Sequence, residues 1–207
     1  MFGILSVVSI PLPSLGSVLG NVLKVGIQAL NALSKGLTAF GNALGLFETD
    51  DPEKLGTKRI QAEEAGIEPE NYDTYDEYLK AIDDFEIDEE RALEISVEDK
   101  LAKAAQHTLE AVDNKYPEAN AEMLARGALN VPEFYSDDAR FTELAKLVAN
   151  DPEKINLIGK LLCGELEGDE YYDAIDMVIS AEQAANPQLS LDEVKEKKQN
   201  LLAETDR

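Results

Sequence analysis

The chain contains one histidine and one cysteine, side chains that often carry acid–base or nucleophilic chemistry. His107 lies in a helical stretch with no nucleophile-containing motif nearby, so a catalytic triad has nothing to be built from. Cys163 lies in the apolar run Leu161–Gly164, where a cysteine is typically buried and unreactive. A single thiol also excludes a disulfide within the chain. The sequence therefore predicts no catalytic residue.

The densest carboxylate cluster runs from Asp83 to Glu90. A calcium loop counted from Asp83 needs an oxygen ligand at its third position and a glycine at its sixth, but Phe85 and Asp88 stand there. A di-metal carboxylate bundle needs two Glu-x-x-His pairs, which one histidine cannot supply. We predict a solvated acidic face, no metal site and no cofactor, with loose cation binding left open. Phosphate-loop, dinucleotide and hydrolase motifs are also missing, so we expect a protein that is not an enzyme.

Charge is distributed very unevenly along the chain. The formal net charge is −23, and all 42 acidic residues follow Phe47 together with 17 of the 19 basic ones, which gives that part −25. The first 47 residues carry only Lys24 and Lys35. A strongly acidic body repels phosphate backbones, so we expect no nucleic-acid partner.

The residues that start helices indicate how the acidic part is organised. Asp51-Pro52 places an N-cap before a helix-starting proline, and Thr74 with Glu77 has the spacing of a capping box. Ser96 opens a longer amphipathic helix. Further starts are predicted at Asp88, Pro117, Ser136, Asp151, Asp169 and Ser190. With no strand-turn-strand pattern, the sequence predicts an all-α protein in which a long apolar, Gly-rich N-terminal helix precedes an acidic multi-helix body.

Residues 14–47 have a helical period throughout and predict one helix of roughly 50 Å. The polar residues recur in steps of three and four and form a narrow stripe: Asn21, Lys24, Gln28, Asn31, Lys35, Thr38 and Asn42. Apolar residues cover the opposite side: Leu15, Leu19, Val22, Leu30, Leu33, Leu37, Phe40 and Leu44. More than half of the circumference of such a helix is apolar and must be packed against a neighbour that excludes water. That neighbour is the rest of this chain, other protein chains or lipid.

These patterns divide the chain into three segments. Residues 1–13 predict an extended apolar arm that ends at Pro13, residues 14–47 the long helix, and residues 48–207 an acidic helical domain that begins at the composition break at Glu48. Residues 1–23 are uncharged, but Pro11 and Pro13 interrupt a membrane span. No basic residue precedes Lys24, so we expect no cleavable signal peptide and leave the localisation open.

Two functions fit this organisation. The first is a non-enzymatic structural or interaction subunit of a larger multi-protein assembly, which docks or oligomerises through the arm and the apolar residues of the helix. Its partners would be other protein subunits or copies of itself. The alternative is a membrane-inserting or pore-forming protein, in which residues 1–47 contact lipid and the helix oligomerises with its polar stripe facing a lumen.

Overall fold

The computed structural model describes residues 26–149, 151 and 153–202 of the 207-residue chain. Within these ranges the protein is all-α, as the sequence predicts, and contains no strand. The α-helices there are α1 (Ile27–Ala43), α2 (Pro52–Glu64), α3 (Tyr75–Asp83), α4 (Glu89–Glu94), α5 (Val97–Lys115), α6 (Ala121–Asn130), α7 (Asp138–Val148), α8 (Glu153–Leu162), α9 (Gly168–Ala185) and α10 (Leu191–Leu202). Two 3₁₀ helices, Pro69–Asn71 and Pro132–Ser136, precede α3 and α7.

Side-chain caps explain where several helices begin. The Asp51 side chain accepts hydrogen bonds from the backbone amides at the start of α2, and Pro52 occupies the first helical position. Thr74 and Glu77 form the predicted capping box at α3, each side chain bonding the other residue's backbone amide. The Ser96 hydroxyl caps α5 by accepting from the Asp99 amide. These three predicted helix starts are confirmed. The caps form there because the first backbone amides of a helix have no acceptor within the helix, and each capping side chain supplies one.

Two predicted starts shift by one residue. The cap of α7 is Asp137 and not Ser136, since the Asp137 carboxylate accepts a hydrogen bond from the Arg140 amide at 3.1 Å. Helix α9 begins at Gly168, one residue before the predicted Asp169. Local capping chemistry therefore locates both helices to within about a residue, which is the usual uncertainty at a helix end. The start predicted at Pro117 is wrong, because the Asn120 side chain caps α6 and this helix begins at Ala121.

The prediction of one continuous helix over residues 14–47 is wrong. In the described part of that range, the helix covers only Ile27–Ala43. Gly26 has φ 108° and ψ 163°, which is not helical, and α1 begins at the next residue. Gly45 adopts φ 70° just after α1 ends, and there the chain reverses. That turn brings the Phe47 ring back against Gly41, where a Cβ atom would lie only 2.3 Å from the ring. The part of the predicted helix before Gly26 lies outside the described residues.

Helix α1 lies in the middle of the molecule. It packs against α5, α7 and the 3₁₀ helix that precedes α7, while α2 packs on α5, α6 on α8, and α9 on α7. One cluster of buried hydrophobic side chains extends from α1 to α9. The core of the described residues is therefore not divided at Glu48, and α1 is part of the acidic body rather than an appendage to it.

A buried ion pair joins α7 to α9. The Arg140 side chain is 2% exposed, and its Nε lies 2.6 Å from a carboxylate oxygen of Glu182. The same guanidinium donates to the Phe134 backbone oxygen at 2.7 Å and lies over the Phe134 ring. A third partner is the Asp137 carboxylate at 3.5 Å. Such a pair is tolerated in the interior because its charges and hydrogen bonds are matched.

Helices α2 and α5 approach each other closely at Gly56. A Cβ atom added at Gly56 would lie 1.8 Å from the backbone oxygen of Lys100. That neighbour is backbone and cannot rotate away, so only glycine fits at this crossing.

We expect Gly56→Ala to destabilise the protein. Alanine is favoured over glycine inside a helix by about 1 kcal/mol, but overpacking against a fixed neighbour costs about 1–3 kcal/mol or more. Chemical denaturation of the purified full chain measures the difference. A variant as stable as the parent would contradict the observed crossing.

Truncation in α1 tests whether this helix belongs to the core. Leu37→Ala should lower the free energy of unfolding by about 2–5 kcal/mol, because it opens a cavity at a fully buried position. The matched control is Lys35→Ala, an exposed position on the same helix where the change should stay within about 0.5 kcal/mol. Equal small effects at both positions would show that α1 is not a core helix.

Candidate functional site

Four of the predicted interaction residues lie inside the core of this chain. Leu30, Leu33, Leu37 and Phe40 are each at most 1% exposed, and Leu44 is half-buried against the same cluster. Of the three kinds of neighbour that the sequence leaves open, the one that these residues contact is the rest of this chain, so they are not available for docking onto another molecule. Their neighbour is the body itself, chiefly α5 and α7. The remaining predicted contacts, Leu15, Leu19 and Val22, lie outside the described residues.

The polar stripe of α1 does not form one solvated face. Gln28 and Lys35 are exposed, whereas Asn31 is half-buried. Thr38 is fully buried, and its hydroxyl has no hydrogen-bond partner among the described residues. Asn42 donates to the backbone oxygens that follow the chain reversal, at 3.1 and 2.9 Å. A lumen-facing stripe would need these residues to share one wet environment, and they do not. Asn21 and Lys24 lie outside the described residues.

A buried polar cluster surrounds the histidine. His107 is fully buried on α5, its ring stacked on Phe47 with centroids 5.8 Å apart and meeting the edge of Tyr78 at 6.2 Å. Neither ring nitrogen has a hydrogen-bond partner in the described part of the chain. The Tyr78 and Tyr75 hydroxyls are likewise buried without a partner there. The sequence singles out His107 but gives no sign of this cluster, which depends on the return of Phe47.

Basic groups lie beside this histidine. The Arg59 guanidinium is nearly buried over the Tyr78 ring and forms ion pairs with Glu63 at 2.7 Å and Glu110 at 3.6 Å. Burial, reinforced by the positive charges of Arg59 and Lys103, lowers the pKa of His107 to about 3. The ring is therefore neutral near pH 7 and is not poised for proton transfer there. This arrangement favours a packing role.

A cavity with a volume of about 600 Å³ lies where α5, α6 and α8 meet. Most of its lining residues are polar or charged, and three are apolar: Asp113, Asn114, Glu118, Asn120, Glu122, Asn156 and Lys160, with Pro117, Ala119 and Met123. The Asp113 carboxylate accepts from the Ala121 amide at 3.0 Å, and burial raises the Asp113 pKa. The Asn156 side chain bonds backbone groups of Glu118 and Asn120. These groups fix the loop between α5 and α6, and no nucleophile–base pair is among them.

Cys163 and the acidic cluster, the other candidates from the sequence, have structural surroundings and not catalytic ones. Cys163 is half-buried, and burial raises the pKa of its thiol, which keeps it protonated near neutral pH. In the acidic cluster, Asp83 accepts a hydrogen bond from the Glu48 amide and Asp88 caps α4. The described residues contain no group of three or more side chains placed to hold a metal ion.

The helices between Ile27 and Leu202 include none that is both long and apolar enough to cross a bilayer. No family model matches the chain, and neither a curated protein nor a solved structure matches it.

The buried histidine predicts an acid-dependent loss of stability. The His107 pKa is about 3 in the folded protein and near 6.5 when unfolded, so below pH 6.5 the unfolded chain binds the proton more tightly. The neutral ring makes its full contribution to the free energy of unfolding above pH 6.5. That contribution falls by about 1.4 kcal/mol for each pH unit as the pH is lowered toward 3. Denaturation of the parent and of His107→Phe across this range measures the difference between their slopes.

The carboxylates titrate in both proteins and cancel in that comparison. Parallel pH profiles for the parent and His107→Phe would mean that His107 is not buried in its neutral form.

Proposed function

We propose that this protein is a non-enzymatic interaction subunit of a larger multi-protein assembly, held there by the segment before Gly26. In this arrangement the acidic helical body stays on the outside of the contact. The partners are other subunits or further copies of this chain, and no nucleic acid is involved.

The proposal depends on a contrast between α1, whose apolar side is already buried in the core, and residues 1–25, which are just as apolar in sequence. The body covers the apolar side of α1, so the leucines from Leu30 onward are not available to a partner. Residues 1–25 contain a single charged residue, Lys24, and are rich in leucine, isoleucine and valine. Exposure of such a segment to water is unfavourable at about 25 cal/mol for each Å² of apolar surface. Burial against another chain removes that cost.

Electrostatics supports the same arrangement. The sequence after Phe47 has a formal charge of −25, which keeps the outside of the body soluble and opposes contact between bodies. A contact that brings several copies together is therefore favoured at the uncharged end of the chain. Phosphate backbones are repelled by the same charge.

The pore-forming alternative loses its main support. It required the apolar side of residues 14–47 to contact lipid while the polar stripe lined a lumen. In the described part of that segment, the leucines from Leu30 to Leu37 are packed under α5 and α7, and Thr38 is buried with them. Contact of residues 1–25 with a lipid surface is still a distinct outcome of the test.

Sedimentation velocity of the full chain tests the proposal. The parent should sediment as a species larger than the 22.7 kDa monomer, and Leu15→Asp/Leu19→Asp should shift it to the monomer. A charged pair placed in an apolar contact is costly to bury, which is why we expect dissociation. The matched control is Leu93→Asp, since Leu93 is 88% exposed on the body and its substitution should leave the sedimentation unchanged.

Two results would contradict the proposal. One is a parent protein that stays monomeric at every concentration. The other is flotation of the parent with phosphatidylcholine vesicles that Leu15→Asp/Leu19→Asp abolishes, because that pattern identifies lipid and not protein as the neighbour.

A further inference from the structure

A groove with an apolar floor lies where α7, α8 and α9 meet. Its volume is about 400 Å³, and its floor consists of Leu147 from α7, Leu157 from α8 and Met177 from α9. Leu147 is 42% exposed although it lies between helices of the core, and the other two are half-buried. The described residues that line the groove all belong to the body, so a partner bound there does not require the contact proposed for the segment before Gly26.

One side of the groove is a continuous face of α9. Asp173, Asp176, Met177 and Ser180 follow one another at helical spacing, so they lie on the same side of that helix. Tyr172, four residues before Asp176, extends this face and is 66% exposed. From Tyr172 to Ser180 the face covers about 12 Å along the axis, or about two helical turns.

The rim of the groove is acidic. Asp173 and Asp176 are exposed, and neither forms an ion pair within the described part of the chain. The one basic residue of the rim, Lys154, already pairs with Asp151 at 3.3 Å. An apolar floor beside two unpaired carboxylates suits a partner that has apolar and basic side chains on adjacent positions.

We propose that this groove binds an amphipathic helix of a partner protein, with apolar residues on the floor and Lys or Arg residues against Asp173 and Asp176. Helix-in-groove binding needs an apolar ridge at positions i, i+4 and i+7, which spans the same two turns as the α9 face. Strand addition needs an exposed sheet edge, and the described residues contain no strand. A second copy of the acidic body is disfavoured because its charge has the same sign as the rim.

A synthetic peptide provides the probe. A roughly 18-residue peptide of leucine and lysine in amphipathic order is long enough to form a helix when bound, and its leucine–glutamate counterpart keeps the ridge but reverses the charge. Titration of the full chain with the lysine peptide, followed by backbone amide NMR, should shift signals centred on Leu147, Tyr172 and Met177. The glutamate peptide should leave those signals in place.

Matched variants separate groove binding from general attraction to an acidic protein. Asp173→Asn/Asp176→Asn should weaken binding of the lysine peptide by about 10-fold because it removes both rim charges that face the lysines, and Leu147→Ser should weaken it by about 10-fold because it removes part of the apolar floor. Glu70→Gln/Asp73→Asn removes the same charge from exposed positions on another part of the body and should change the affinity by less than about 3-fold. All of these positions are exposed, so the variants should fold.

Three outcomes would overturn the proposal. Equal weakening by the two charge-removing pairs would show nonspecific attraction. Peptide-induced shifts centred away from the groove would place the binding elsewhere. If Leu15→Ser/Leu19→Ser in the full chain shifts the groove signals without any peptide, the occupant is the chain's own first segment and not a partner.

Discussion

The fold depends on the burial of α1. More than half of the circumference of this helix is apolar or small, and no single neighbouring helix can cover so wide an arc. Helices α5 and α7 and the 3₁₀ helix before α7 cover it from several sides. Small residues permit the approach, since a Cβ at Gly36 would come within 3.0 Å of the Tyr135 backbone oxygen. The acidic helices are thus arranged around a helix that is itself almost uncharged.

Much of this architecture can be predicted from local sequence. Asp51, Thr74 and Ser96 cap their helices as predicted, because capping depends on residues within one turn. The dry side of α1 is also evident from its periodicity. Periodicity identifies the side of a helix that must be buried but not the molecule that buries it. For this reason the sequence allows docking of Leu33 onto another chain, whereas in the structure α1 buries Leu33 in a core that includes α5 and α7. The helix boundary at Gly26 is equally difficult to predict from the sequence, because an isolated glycine within a helical pattern does not by itself mark a helix end.

The candidate sites are less predictable because they arise from distant contacts. The surroundings of His107 depend on Phe47, which the chain reversal after α1 carries back onto α5. The groove combines Leu147, Leu157 and Met177 from three helices, and each alone resembles an ordinary core residue in the sequence. Conversely, in the acidic cluster that is conspicuous in the sequence, Asp83 accepts a hydrogen bond from the distant Glu48 amide and Asp88 caps α4. Density of charged residues in a sequence is thus a poor guide to a site in this fold.

The Arg140–Glu182 ion pair has a consequence for the surface near it. The pair joins α7 to α9, the two helices that contribute Leu147 and Met177 to the groove. If α9 moved away, a guanidinium that is almost completely buried would lose Glu182, the closer of its two carboxylate partners, at a cost of up to about 3–5 kcal/mol. The walls of the groove are therefore held at a fixed separation before anything binds. A preorganised surface of this kind loses little entropy on association, so even a short contact can be selective.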